Sequence, residues 1–209
     1  MLFSMSELFD IVVMTLALGF IFKDVFLPRM RQVIDATNYD PLAQYNKTRT
    51  GSRLSSRFSY LDNGFVLAII ITAPAIILHE LGHKLLAISF GATAVFNAAY
   101  FWLGLGMVLK LLNFGFIFFV PAYVSIGGVG LTDAQFSAIA FAGPFVNLVL
   151  FAGARYMLKS KYLYKRYKKY AAVISMTARI NLFLFVFNML PIPGFDGWKV
   201  FTGLLSAFA

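Results

Sequence analysis

Four stretches of the chain, at about 8–27, 64–90, 133–158 and 170–190, are apolar over roughly twenty residues or more. A hydrocarbon layer about 30 Å thick is crossed by about 20 residues of helix. No water is available there to the backbone, so an isolated apolar stretch satisfies its own N–H and C=O groups by coiling into a helix. Composition supports this reading: 60% of residues are hydrophobic and only 13% are charged. Soluble domains sit nearer half apolar and a quarter charged. The expected fold is an all-α membrane protein, a multi-span bundle of about five to six helices. Its expected setting is the lipid bilayer, as a multi-pass protein of the cell membrane. No small-residue cleavage site follows the first stretch, which reads as a retained helix. The formal charge is +9, but the basic residues crowd into loops between apolar segments. That pattern suits anionic headgroups and topology control, not nucleic acid.

The segments divide the chain into three parts. Residues 1–63 read as a membrane helix closed by Pro28, followed by a basic surface loop. Residues 64–197 form the intramembrane core, and 198–209 a short apolar tail. Within the core, 92–131 is apolar but broken by Gly104, Gly106, Lys110, Asn113, Gly115, Pro121 and the Gly127-Gly128 pair. Its β-branched and aromatic run at 118–126 reads as a strand. A short re-entrant and β-strand insertion is therefore expected between the second and third spans.

The second span carries the chemistry. The chain's two histidines both lie in His79-Glu80-Leu81-Gly82-His83, flanked by Ile76-Ile77-Leu78 and Leu85-Leu86. A helix sets positions i and i+4 on one face, so both imidazoles can reach one metal ion with Glu80 beside them. A histidine pair and a glutamate inside hydrocarbon are too costly to stand there without a purpose. Catalytic zinc takes three protein ligands and leaves one position for water. There is no cysteine and no third histidine, so the third ligand must be one of nine carboxylates. Six precede the metal helix, and Glu80 suits the general base. Of the remaining two, Asp133 precedes a helix and reads as an N-terminal capping residue. Asp196 lies where a helix breaks at Pro191 and Pro193, between Gly194 and Gly197. Irregular backbone at membrane depth is tolerated only when buried or lining a cavity. His79, His83 and Asp196 are thus the expected ligands of one zinc ion. Lys84 reads as a residue snorkelling to the interface.

A shared ion also constrains topology. The metal motif and Asp196 must end on the same side of the bilayer, so 92–131 must dip in and return without crossing. The basic stretches 29–63 and 159–169 then lie on the opposite face, with twelve of the eighteen Lys and Arg. The positive-inside rule would make that face cytoplasmic and open the site outward.

The HELGH at 79–83, the GPFVN at 143–147 and the NMLPIPGFDG at 188–197 resemble the motifs of the site-2 protease family of intramembrane zinc metallopeptidases. The resemblance implies His79, His83 and Asp196 as zinc ligands and Glu80 as catalytic base. It implies Asn147, and with it Asn188, as substrate-positioning or oxyanion-side groups. It implies that a strand at 120–127, including Val120, Pro121, Ala122, Tyr123 and Val124, pairs with an unwound substrate. The substrate it implies is a transmembrane protein, and the site it implies opens toward the cytoplasm, against the charge count. We prefer the side anchored on chemistry. The chain departs from the family at Trp198, where a small residue is usual, and carries no peptide-binding domain between the motifs. A metal-ion transporter would show inverted or paired repeats, which are absent from the sequence. A catalytically inactive membrane-protein-binding homologue would have no need of Glu80.

Overall fold

The computed structural model of the chain describes residues 3–37, 63–114, 120–128 and 130–208. The first helix, α1 (Met5–Thr37), runs on through Pro28 and does not close there as expected. Proline removes one N–H from the ladder. Its apolar window ends at Phe26, so the freed carbonyl lies near water, where the loss is small. The second helix, α2 (Gly64–Ser89), starts at Asn63, whose side chain accepts the Phe65 N–H at 2.9 Å. It stops at Gly91, whose φ of +82° suits glycine. Two short elements follow, β1 (Thr93–Ala98) and α3 (Tyr100–Leu111), then β2 (Ala122–Gly127). The next helix, α4 (Asp133–Lys159), opens on a capping box between Thr132 and Gln135. Asp133 is its first residue, so the cap expected at Asp133 belongs to Thr132. The last elements are α5 (Lys161–Tyr167), a 3-10 turn, α6 (Ala171–Asn188) and α7 (Asp196–Phe208).

Four helical segments are long and apolar enough to cross a membrane: Met5–Phe26, Gly64–Ser89, Asp133–Lys159 and Lys161–Asn188. With α3 and α7 they make six helical segments among the described residues, within the five to six that the sequence predicts. Between helices in lipid, close packing and interhelical polar contacts do the holding. Antiparallel α1 and α2 bury Met14, Leu18, Ala73 and Ile76 at one level and Phe26, Leu67 and Ile71 at another. α4 runs antiparallel to α2 at close range. A Cβ on Gly82 would stand 2.9 Å from both Ala142 O and Val146 Cγ2, so only glycine lets the backbones meet here. α6 returns the chain along α4 to the end of the bundle where the metal motif lies.

The described parts of the 92–131 segment come together as a hairpin. β1 and β2 pair antiparallel, with Phe96 opposite Val124 and Ala98 opposite Ala122. Between them α3 lies along α1, its Tyr100 hydroxyl on Asp10 and its Lys110 ammonium 2.6 Å from Asp24. β1 was not expected from the sequence, and β2 begins at Ala122, after Val120 and Pro121. Phe118, Phe119 and most of the polar stretch at 29–63 lie outside the described residues.

Strand polarity follows from two hydrogen bonds. The N–H of Phe96 points to Glu7 at 2.6 Å and that of Ala98 to Asp10 at 3.2 Å, both away from β2. Their opposite residues, Val124 and Ala122, therefore also turn their N–H and C=O groups outward. Alternation adds Ile126. Among the described residues, the outer edge of β2 is an open row of backbone donors and acceptors.

Candidate metal centre

Three elements bring the donors together. α2 carries His79 and His83, the close approach at Gly82 brings α4 against them, and the break after α6 delivers Asp196 as the first residue of α7. His79 Nε2 lies 3.1 Å from Asp196 Oδ2, and His83 Nε2 lies 3.3 Å from it. The two Nε2 atoms are 3.1 Å apart, with the ring planes at 81°.

Their outer nitrogens are committed. His79 Nδ1–H donates to Asn147 Oδ1, and His83 Nδ1–H donates to the Ile139 carbonyl at 2.7 Å. With the protons on Nδ1, both Nε2 atoms carry lone pairs and face each other and a carboxylate oxygen. Such a set repels itself unless a cation sits between its members. Backing of each ring by an oxygen acceptor is the usual outer shell of a metal-binding histidine. Two nitrogens each about 2.0–2.1 Å from a tetrahedral zinc stand about 3.3 Å apart, close to the spacing here. The residues present fit one such ion.

Gly143 makes room for the centre. A Cβ there would meet the His83 ring and lie 2.7 Å from His79 Nε2. Asn147 is fully buried behind His79. Its amide nitrogen donates to Ala75 O at 3.2 Å and to Asn181 Oδ1 at 2.9 Å, so its hydrogen-bonding capacity is spent inside the bundle. The resemblance implies a group facing substrate. The structure puts Asn147 where it orients His79 and touches neither cavity described below.

A cavity of about 110 Å³ opens beside the donors, lined by Glu80, Asn188, Tyr123 and the β2 edge at Ala122, Val124 and Ile126. Val120 and Lys199 complete its rim. A second, apolar cavity of about 220 Å³ meets it at Glu80 and Asn188 and is walled by Leu18, Phe22, Ile76, Phe183 and Phe187. Pro121 lies on this apolar side. Asn188 faces both cavities, with its amide donating to Leu184 O at 3.0 Å.

Sequence reasoning missed Asn181, the Ile139 carbonyl and the role of Gly143. Asn181 was open to discovery, since an amide in the middle of an apolar helix seeks a partner. A backbone carbonyl leaves no sequence signal. Lys84 does not extend outward as a snorkelling side chain would. It is 3% exposed and paired with Glu7.

No family model and no solved structure matches the chain. Several curated proteins do. A protein provisionally named zinc metalloprotease MJ0611, from Methanocaldococcus jannaschii, is 39% identical over 136 residues, which cover 65% of this chain and 69% of that one. The Rip2 protein of Mycolicibacterium smegmatis, provisionally named a zinc metalloprotease, is 29% identical over 64% of this chain and 55% of its own length. A Synechocystis protein of like provisional name, sll0528, is 29% identical over 68% of this chain, but the match spans only 32% of it. Matching relatives, motifs in order and a convergent donor set agree: the chain belongs to the site-2 protease family.

Proposed function

We propose that this protein is an intramembrane zinc endopeptidase that hydrolyses peptide bonds in or near the transmembrane helices of membrane-protein substrates. The observation that carries the reading is the meeting of His79 Nε2, His83 Nε2 and Asp196 Oδ2 within 3.1–3.3 Å, at the wall of a cavity that Glu80 also lines. His79, His83 and Asp196 would hold a single ion. When bound, zinc supplies a Lewis acid and lowers the pKa of water toward about 7.

The chain's own groups do the rest. Glu80 accepts the proton of the attacking water and passes it to the leaving amine. Asn188 offers its amide to the carbonyl oxygen as charge develops there. Asn147, with Asn181 behind it, keeps the His79 ring in one tautomer and one orientation. A helical substrate hides its scissile carbonyl in its own hydrogen bonds and must unwind first. The open edge of β2, at Ala122, Val124 and Ile126, receives the unwound segment by backbone pairing. The apolar cavity beside Glu80 keeps bulk water away. We place the protein in the cell membrane.

The test uses purified full chain and unfolded casein. Glu80→Gln retains zinc by elemental analysis and loses hydrolysis by at least about 10²-fold, the lower range for a positioned acid–base group. Wild-type protein that binds zinc but never cleaves, or a Glu80→Gln variant as fast as wild type, would sink the assignment.

A further inference from the structure

Glu7 lies near the start of the first span and is only 4% exposed. One carboxylate oxygen accepts the Ser4 N–H at 2.7 Å. The other accepts the Phe96 N–H of β1 at 2.6 Å and the Lys84 ammonium. Lys84 directly follows His83, and its ammonium also lies 4.9 Å over the Phe3 ring. Asp10 stands one helical turn further along α1 and accepts the Ala98 N–H and the Tyr100 hydroxyl.

Two carboxylates at i and i+3 on α1 thus meet alternate N–H groups of β1. An ionised carboxylate only accepts, so these donors of the outer β1 edge are taken and cannot recruit a strand. Among the described residues the edge left open is that of β2, which lines the cavity beside the donor set. Stability is a poor reason for the buried pair. Apolar replacement of such pairs is often neutral or stabilising, whereas a geometry they specify is lost. What Glu7 specifies here is the placement of three elements. It joins the N-terminal helix, the hairpin and the metal-bearing helix at one point.

We propose that Glu7 is a positioning residue for cleavage: it pins β1 to α2 through Lys84 and so sets how far the open edge of β2 stands from His79, His83 and Asp196. This rests on the peptidase reading above. The function of Glu7 is mechanical, and its loss leaves the donor set in place but lets the hairpin drift.

The chain has no cysteine, so spin labels can be placed at will. One pair, Val95→Cys with Ile70→Cys, reads the hairpin against α2. A control pair, Ile70→Cys with Val149→Cys, reads α2 against α4. All are at exposed positions. In Glu7→Gln and in Lys84→Met, the hairpin distance distribution widens by about twofold while the control distribution and the zinc content stay as in wild type. With casein, KM rises about tenfold and kcat stays within about twofold, the pattern of lost substrate placement. An unchanged hairpin distribution, an unmoved KM, or loss of zinc overturns the proposal. Should Glu7→Gln fail to fold, Lys84→Met, which cuts the same link from the α2 side, decides under the same readouts. A wild-type protein without zinc-dependent cleavage defeats the peptidase reading, and the label distances still decide the pinning.

Discussion

At His79 a single amide oxygen decides which nitrogen can face a metal. Asn147 takes the Nδ1 proton, and Asn181 holds Asn147 in turn. Replacing Asn147 by Leu removes the acceptor and leaves Asn181 Oδ1 buried without its donor. We expect zinc affinity to fall about 10–100-fold, as for other groups that orient a metal-binding histidine. Competition with a chromogenic chelator measures it, and unchanged affinity would refute the orienting role. At Gly143 the limit is space. Gly143→Ala drives a methyl into the His83 ring, and the expected cost is about 1–3 kcal/mol of overpacking, with loss of bound zinc. Elemental analysis beside a thermal melt tests it. Both residues stand in the GPFVN motif at 143–147, and neither role was readable there. The pattern marked positions. The partners of those positions lie 34 or more residues away, and no local rule pairs them.

At the level of elements, the apolar runs were legible because lipid imposes one answer on the backbone. The ends of α2 and α4 fall within a residue or so of the sequence reading, since Asn63, Gly91 and Thr132 carry ordinary capping and stop chemistry. Thr132→Ala removes the hydroxyl that accepts the Gln135 N–H, one half of the capping box, and should cost about 1 kcal/mol, read as a lowered unfolding midpoint in detergent. An unshifted midpoint would show that tertiary contacts alone hold the start of α4. The hairpin was half legible. β2 announced itself by β-branched residues and a Gly-Gly turn. β1, Thr-Ala-Val-Phe-Asn-Ala, has little strand signal and exists because β2 and the carboxylates of α1 satisfy its backbone from both sides. The Lys110–Asp24 pair that ties the far end of α3 to α1 has Asp24 65% exposed. Lys110→Met should change stability by no more than about 1 kcal/mol, as exposed ion pairs do.

For the whole molecule, the proposed zinc centre links metal binding to the fold. The three donors come from α2 and α7, which are more than a hundred residues apart in sequence, so a chain that loses its tertiary structure loses the site. At free zinc 100-fold above its dissociation constant, binding stabilises the folded state by about 2.7 kcal/mol. A chelator should therefore lower the melting midpoint of wild type and leave that of His83→Ala unmoved. Equal shifts in both would place the ion elsewhere.

The sequence alone determined that the chain spans a membrane as helices, because buried backbone in hydrocarbon has few ways to be satisfied. It also determined which side chains were chemically able to hold a metal, because one pentapeptide holds both histidines and the apolar core offers few carboxylates. Asp196 was already the carboxylate that the sequence singled out; tertiary structure decided how closely it meets them, which tautomer each ring takes and which strand edge stays open. Those depend on contacts between distant segments, where a difference of about an ångström separates a hydrogen bond from none, and such distances are set only when the helices pack.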